Sequence, residues 1–362
     1  MRIVMVGGGV IALLSAVECV AAGHEVTVVD QGDIPHPAAA SYDRQRVVRA
    51  LHLDDPAATA AGARAVGLWA GLQGRLGAAF LERTGALTVL PDADLLRAQA
   101  NLAGAGAPSR VLGPRALAEG FPHLRFPDGA SAVVEPGAAI VLADRALHAC
   151  ADWLRAHPLA ELLPSRRVVA VRGTAVHLAG GARLRGDAVL VAAGAWSRPL
   201  LPPALAAELV LHRQSQLHCR VPDADAAAWS AMPTVPSLGT GGGAWLVVPV
   251  AGTPLKLSAS SAGRVVSTMD GRETPPRWQR RLLDLHAPAI AGLSEDWVLE
   301  ARDSYYLTHP PTGGPLTVAI GERVLAHAAC GGSSFKFAPL IAQSLAARLT
   351  GAARPTTLRG VS

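Results

Sequence analysis

Three consecutive glycines follow a short apolar run near the start of the chain, in Gly7-Gly8-Gly9-Val10-Ile11-Ala12. This spacing fits the pattern G-x-G-x-x-G/A, in which a tight turn and bare backbone let a pyrophosphate reach the first N–H groups of a helix. Asp30 follows about 20 residues later, where an acidic side chain can accept hydrogen bonds from ribose hydroxyls. The combination predicts a dinucleotide site.

The segments around the glycines separate two interpretations of the first thirty residues. A secretory signal needs a basic start, an apolar run and a small-residue cleavage site, which Arg2 and Ala21-Ala22-Gly23 match poorly. A strand at 3–6, a helix at 10–22 and a second strand at 25–29 fit the sequence better. An α/β unit with a glycine turn and no bound nucleotide is the remaining alternative.

Two lysines have apolar neighbours in the sequence. Lys256 is flanked by leucines on a predicted strand, so its side chain must either snorkel to solvent or face a cavity. Lys336 lies between two phenylalanines, which is unusual for a solvated surface lysine. A fixed cation in a poorly hydrated site stabilises an anion. Both lysines are therefore candidate site residues.

Composition narrows the class of protein. With 362 residues, half of them apolar, the chain can form one large domain or two medium ones. Its four cysteines lie far apart without metal-ligand spacing, which favours reduced thiols in a cytoplasmic protein and no metal. The apolar runs give no reason to expect a membrane span.

The net charge of +5 comes from scattered arginines, so we expect no nucleic acid as a partner. This positive charge suits a cofactor with two phosphates and an anionic substrate.

The periodicity of apolar residues predicts a mixed α/β protein. We expect helices at 56–82, 92–104, 114–119, 142–156, 275–285 and 338–349. We expect later strands at 86–90, 130–134, 167–177, 187–194, 208–221, 244–250, 254–260, 297–308 and 316–320. Nucleotide-type segments lie at both ends and near residue 190. This arrangement predicts a discontinuous nucleotide-binding domain from 1–85, 140–205 and 310–362, with a second domain from 86–139 and 206–309.

Four places in the chain together resemble one known family. They are the N-terminal unit, DRQRVVR at 43–49, DAVLVAAGAWS at 187–197 and GGSSFKFAP at 331–339. They resemble the flavoprotein amine and amino-acid oxidases of the D-amino-acid oxidase superfamily, and within it the monomeric sarcosine oxidase and N-methyl-amino-acid oxidase branch. The resemblance covers nearly the whole chain. It implies FAD instead of NAD, and a Rossmann-like FAD-binding domain interwoven with a mixed-sheet substrate domain.

The resemblance also implies roles for individual residues. Arg49 and Lys336 match the pair that holds the substrate carboxylate, for which a helix-face or ion-pair role is the alternative. Lys256 matches the lysine that activates oxygen. Trp196 would contact the cofactor, unless it is a core aromatic. The complete set implied for cofactor binding is Gly7, Gly9, Val10, Ile11, Asp30, Ser41, Arg46, Val169, Gly194, Trp196, Gly332, Ser333, Ser334, Phe335 and Lys336.

The activity implied is oxidation of a CH–NH bond in an amino or imino acid, by hydride transfer to flavin N5. The product is an imine, and O₂ is reduced to H₂O₂. We expect a monomer whose partners are this small molecule and O₂. A FAD dehydrogenase that reduces a quinone or carrier protein is one alternative. A flavin-binding subunit without turnover is another.

Three positions depart from the family pattern. Ser304 stands where relatives with covalent flavin carry a cysteine, and the four cysteines are remote from it in sequence; because serine cannot form the thioether, we expect non-covalent FAD. Ser260 stands near the place of the family's active-site histidine. Ser333 and Ser334 replace the His-Gly pair of G-H-G-F-K-F. These departures predict an altered substrate pocket.

Overall fold

The computed structural model describes residues 1–352 and confirms a mixed α/β protein. The last ten residues of the predicted stretch 310–362 lie outside the described part. Within that part the α-helices are α1 (Val10–Ala21), α2 (Pro56–Leu76), α3 (Asp92–Gly104), α4 (Pro114–Gly120), α5 (Ala143–Ala156), α6 (Pro203–Ala207), α7 (Ala226–Ala231), α8 (Pro276–His286) and α9 (Ser334–Thr350).

The strands come from the whole length of the described chain. In chain order they are β1 (Arg2–Val6), β2 (Glu25–Val29), β3 (Arg46–Val48), β4 (Leu81–Glu82), β5 (Ala86–Leu90), β6 (Arg110–Leu112), β7 (Ser131–Glu135), β8 (Ala139–Val141), β9 (Ala160–Leu163), β10 (Val168–Arg172), β11 (Ala175–Leu178), β12 (Arg183–Arg185), β13 (Ala188–Val191), β14 (Val210–Cys219), β15 (Thr234–Ser237), β16 (Ala244–Val247), β17 (Leu255–Ala259), β18 (Gly263–Val265), β19 (Val298–Thr308), β20 (Pro315–Gly321) and β21 (Val324–Cys330).

A six-stranded sheet carries the glycine-rich turn. Its order is β20-β21-β13-β1-β2-β9, with all neighbours parallel except β20 and β21. Strand β13 and the four residues of β1 after the exposed Arg2 are buried apolar runs, as expected for parallel strands covered on both faces. Helices α1, α5 and α9 pack over one face with α2. Because β1 and β13 are parallel neighbours, the turns that follow them meet at one sheet edge.

A second sheet of nine strands forms the other large layer. Its order is β18-β14-β17-β16-β15-β5-β7-β6, and β19 pairs with β14 along its length. A separate apolar cluster centred on Trp229, Leu246 and Leu257 packs against it with α8. Two smaller sheets, β10-β11-β12 and β3-β8-β4, complete the fold. The two large sheets take their strands from different stretches of the chain; the division into two domains stays a prediction.

A glycine divides or shortens two of the predicted elements. The single strand predicted at 167–177 is wrong, because Gly173 takes a left-handed φ of 52° and turns the chain between β10 and β11. The helix predicted at 56–82 ends at Leu76, where Gly77 closes it with a φ of 63°. Glycine adopts this conformation without steric cost, so both glycines interrupt elements that apolar spacing alone would continue.

The last helix begins four residues before the predicted start at 338. Helix α9 begins at Ser334, whose hydroxyl donates to the carbonyl of Cys330 at 2.6 Å. Trp69 Nε1 donates to the carbonyl of Lys336 at 3.0 Å, so the first turn has partners from outside the helix. Pro339 lies inside this helix and is tolerated near its start, although proline removes one intrahelical bond. The early start places Phe335 and Lys336 on the first turn.

No helix among residues 1–352 is both long enough and apolar enough to cross a membrane.

Candidate active site

The glycine-rich turn is set by close packing of two strand ends. Gly7 has a φ of 126°, and a Cβ atom there would lie 2.4 Å from the carbonyl oxygen of Ala192. Only glycine fits this position. Gly9 is the N-cap of α1, and the N–H of Val10 donates to Ser41 Oγ at 3.2 Å. The turn therefore brings the start of α1 to the edge where β13 also ends.

Asp30 holds the turn in place. Its carboxylate accepts hydrogen bonds from the N–H groups of Gly8 at 2.6 Å and Gly32 at 2.8 Å. His36 Nε2 lies 3.6 Å from the same carboxylate. Burial raises the pKa of Asp30, although these hydrogen bonds and His36 oppose the shift. The residue thus has a structural partner set of its own, and its role toward ribose stays a prediction.

A cavity of about 370 Å³ opens at this sheet edge and extends toward the nine-stranded sheet. A smaller one of about 150 Å³ adjoins it and shares Gly7, Asp30, Ala193 and Trp196. The larger cavity is lined by the following residues predicted to bind cofactor: Gly7, Gly9, Val10, Ile11, Asp30, Ser41, Arg46, Gly194, Trp196, Gly332, Ser334 and Phe335. Val169 lines the smaller cavity. Ser333 and Lys336 line neither.

The residues of the two cavities fit a dinucleotide. The start of α1 offers backbone N–H groups and the positive end of a helix dipole. Arg46 adds a cation to the wall. Trp196 is stacked on His36 with ring centroids 5.2 Å apart and an interplanar angle of 17°. In residues 1–352, no group of three or more His, Cys, Asp and Glu side chains is arranged to hold a metal ion.

Lys256 is buried and paired with a carboxylate. It is 1% exposed and does not line the described cavities; instead its ammonium donates to the carboxylate of Asp43 and lies 3.4 Å from the carbonyl of Gln45. Burial lowers the pKa of Lys256 to about 8, against the opposing charge of Asp43. The lysine therefore does not snorkel to solvent, and a buried carboxylate satisfies its charge.

Asp43 joins Lys256 to the cavity wall. Its carboxylate lies 3.1 Å from Nε of Arg46, which lines the cavity. Burial would raise the pKa of Asp43, but the cations Lys256 and Arg46 outweigh it and hold the pKa well below its usual range. Burial also lowers the pKa of nearby His218 to about 4, so that ring is neutral at pH 7. One carboxylate thus faces two cations.

Arg49 and Lys336 do come together, in a cluster with His52. The ammonium of Lys336 donates to His52 Nε2 at 3.1 Å. Burial and the charge on Arg49 lower the pKa of Lys336 to about 7. Burial, Lys336 and Arg49 lower the pKa of His52 to about 3. The three side chains are therefore close enough to influence one another's protonation, although 284 residues separate His52 from Lys336.

Glu135 is the carboxylate of this cluster, and one of its two oxygens is bound by backbone N–H groups. One oxygen accepts hydrogen bonds from the N–H groups of Ala50 at 2.8 Å and Leu51 at 3.0 Å. The other oxygen is buried and has no hydrogen-bond partner. Burial lowers the pKa of Arg49, and Glu135 opposes this shift. The cluster therefore combines two cationic side chains with one carboxylate that already binds the backbone.

The structure shows where two of the positions that depart from the family pattern lie. Ser260 and Ser304 both line the large cavity. Cys330 lines it too, on β21, which contacts β19, so one of the four cysteines borders the same cavity as Ser304. Burial raises the pKa of Cys330, which keeps its thiol protonated and weakly nucleophilic.

Several cavity residues are not predicted as site residues from the sequence, although Tyr305 and Tyr306 directly follow Ser304. They are His36, Gln214, Gln216, Trp245, Tyr305, Tyr306 and His327. Most lie on β14, β16, β19 and β21, whose alternation shows only that one face is buried. The pairing of β14 with β19 brings them to the cavity, and that long-range register cannot be inferred from local patterns.

Comparisons with known proteins place the chain in a family. Residues 2–348 match the model of the family described as FAD dependent oxidoreductase. The chain belongs to this family. The superfamily predicted from the four sequence motifs is thereby confirmed. Human (Homo sapiens) peroxisomal sarcosine oxidase is 24% identical over 205 residues, which are 55% of this chain and 52% of that protein. The chain thus spans about half the length of this curated relative.

Solved structures with the same fold include several different enzymes. Glycine oxidase from Geobacillus kaustophilus has a TM-score of 0.81 at 21% identity, covering 99% of this chain and 97% of its own. L-proline dehydrogenase from P. horikoshii has a TM-score of 0.80 at 20% identity, covering 97% and 93%. NikD, an unusual amino acid oxidase essential for nikkomycin biosynthesis, has a TM-score of 0.79 at 16% identity, covering 99% and 98%. At sequence identities of 16–21%, these comparisons establish only that the fold is shared.

Proposed function

We propose that this protein is an FAD-dependent oxidase of an amino or imino acid that carries a carboxylate. A CH–NH bond loses two electrons and two protons to become an imine, and O₂ takes them up as H₂O₂. Bound FAD would supply the hydride acceptor and would carry the two electrons from the substrate to O₂. The observation that carries the proposal is the convergence of Arg49 and Lys336 in one partly buried cluster.

The cluster suits a carboxylate for electrostatic reasons. Arg49 presents a planar guanidinium that can make two parallel hydrogen bonds to a carboxylate. Lys336 adds a point charge, and His52 Nε2 accepts a hydrogen bond from its ammonium and so orients it. Glu135 fixes the backbone that follows Arg49 through Ala50 and Leu51. Glu135 alone cannot balance the charges of both Arg49 and Lys336. A substrate carboxylate would balance the second charge.

The cofactor-binding proposal rests on the cavity wall. The backbone of Gly7 and Gly9, the start of α1 and Arg46 would bind the phosphates and the flavin. We propose that FAD is bound without a covalent link, since Ser304 cannot form a thioether and the raised pKa of Cys330 disfavours its thiolate. A monomeric state and a cytoplasmic location remain part of the proposal.

The test is a screen of possible substrates. Protein with FAD is mixed anaerobically with cyclic imino acids, N-methyl amino acids and D-amino acids, and loss of the visible flavin absorption is followed. Air is then admitted and H₂O₂ is measured. Bleaching followed by one H₂O₂ per flavin supports the oxidase. The absence of bleaching with every compound contradicts the proposal.

A dehydrogenase that reduces a quinone or carrier is the second candidate. Lys256 lines neither described cavity, so a dehydrogenase would need no contact between this cation and O₂, whereas the oxidase requires its charge to act through the cavity wall. In that case the amino acid bleaches the flavin, air restores colour slowly, and a soluble quinone restores it quickly. The ratio of these two reoxidation rates separates the candidates.

A further inference from the structure

The only buried lysine–carboxylate pair in residues 1–352 lies directly behind the cavity wall. Lys256 and Asp43 are 1% and 2% exposed in their side chains, and Asp43 also lies 3.1 Å from Nε of Arg46. A buried ammonium without a counter-ion loses its proton readily, because the low dielectric disfavours the charged form. The charge at position 256 therefore depends on the carboxylate at position 43.

We propose that Asp43 is a positioning residue that keeps Lys256 charged and aligned with Arg46, so that the cavity retains a cationic wall for the O₂ half of the reaction. This inference rests on the proposed oxidase function. In that half O₂ would take up two electrons, supplied by the reduced cofactor, and two protons to become H₂O₂, and negative charge would appear first on oxygen. A nearby fixed cation stabilises that charge. Asp43 touches neither reactant and acts through Lys256 and Arg46.

The other charged groups around Lys256 make its protonated form depend on Asp43. Arg46 on β3 and Arg302 on β19 both oppose its protonated form, and Asp43 is the group that supports it. His218 on β14 faces Asp43 at 3.8 Å and is neutral at pH 7. Glu300 and Arg44 form their own ion pair at 3.2 Å on the exposed side. Removing Asp43 would therefore leave Lys256 among like charges.

Trp245 supplies a second link between Lys256 and the cavity. The ammonium lies 5.8 Å from the centre of the Trp245 ring, and this ring lines the cavity. A cation over an aromatic face is favourable but weaker than an ion pair in a desolvated site. Trp245 alone would therefore not retain the proton on Lys256, which leaves that task to Asp43.

The chain offers a direct readout, because Lys256 and Lys336 are its only lysines. Protein labelled with ¹³C at lysine Cε gives two side-chain NMR signals, which Lys336→Met assigns. Each signal is titrated in the FAD-bound protein. In Asp43→Asn the midpoint of the Lys256 signal should fall by roughly 1–3 pH units, the usual effect of losing an opposite charge at this distance. Asp43→Glu should retain most of the wild-type midpoint.

The second arm measures reoxidation without any amino acid. FAD-bound protein is reduced with dithionite and mixed with O₂ at several pH values. In Asp43→Asn, reoxidation should fall by on the order of 100-fold as pH rises through the new midpoint. Asp43→Asn combined with Lys256→Arg should restore the rate at high pH, because arginine does not lose its proton.

Asp303 provides the matched control. It is a second fully buried aspartate, held by Arg213 and Arg264 through hydrogen bonds. Asp303→Asn should leave the midpoint of Lys256 unchanged. An unchanged or raised midpoint in Asp43→Asn, or wild-type reoxidation above the new midpoint, overturns the inference. If Asp43→Asn does not fold, the small shift that Asp43→Glu causes in the midpoint of Lys256 must appear as an equal shift in the pH profile of reoxidation, and a shift in only one of the two overturns the inference. Failure of amino acids to bleach the flavin would instead count against the proposed function.

Discussion

Loss of the ammonium of Lys336 should weaken binding of carboxylate ligands without removing FAD. In the structure this ammonium is close to Arg49, and its pKa is lowered to about 7 by burial and by that charge. A ligand carboxylate bound there would keep only one cationic partner in Lys336→Met. Truncating one partner of a buried charge pair typically costs about 2–5 kcal/mol, or about 30-fold to more than 1000-fold in Kd.

The assay is a titration of FAD-bound protein with pyrrole-2-carboxylate, followed by the visible flavin spectrum. Arg49→Lys is the companion variant, since it retains the charge but loses the planar two-bond geometry. Arg44→Lys is a matched control on an exposed arginine paired with Glu300, and it should bind as wild type does. Unchanged Kd values in both Lys336→Met and Arg49→Lys would refute the carboxylate clamp and the amino-acid assignment with it.

Further predictions concern the flavin link, the pH dependence of carboxylate binding, the turn at Gly7 and the role of Lys256. Acid precipitation should release all flavin into the supernatant, and a yellow pellet would contradict non-covalent binding. Because Lys336 loses its proton above about pH 7, carboxylate affinity should be constant below that pH and fall about tenfold per unit above it, as Kd measured against pH will decide. Gly7→Ala should cost at least about 1–3 kcal/mol of stability in urea, since its Cβ would meet the carbonyl oxygen of Ala192 at 2.4 Å. Gly23→Ala, also at positive φ but with open space around it, should cost less; equal losses would refute the packing argument. Lys256→Met should slow flavin reoxidation by on the order of 100-fold more than its reduction, and equal slowing in stopped flow would assign the lysine another role.

The N-terminal unit was predictable because its signals are local. Strand, glycines, helix and acidic residue follow one another within thirty residues, and the structure reproduces them as β1, α1 and β2. Gly7 needs its conformation for packing against Ala192, which a glycine pattern encodes directly. Asp30 was recognised for its spacing, while its bonds to Gly8 and Gly32 became visible only in three dimensions.

The partners of the two lysines could not be predicted in the same way. Lys256 and Asp43 are 213 residues apart, and their contact depends on how β17 approaches the loop before β3. Lys336 meets His52 because α9 begins early, at Ser334. One signal in the sequence does point to both: every other long cationic side chain is arginine, so the two lysines are exceptional. Composition can mark such residues, but only tertiary packing identifies what compensates their charge.

The central claim is that this protein oxidises an amino or imino acid with FAD. Anaerobic mixing of the FAD-bound protein with a panel of cyclic, N-methylated and D-amino acids tests it most directly. We expect at least one compound to bleach the visible flavin absorption. In Lys336→Met, a much higher concentration of the same compound should be needed for the same bleaching. If no amino or imino acid bleaches the flavin while dithionite does, the claim is contradicted.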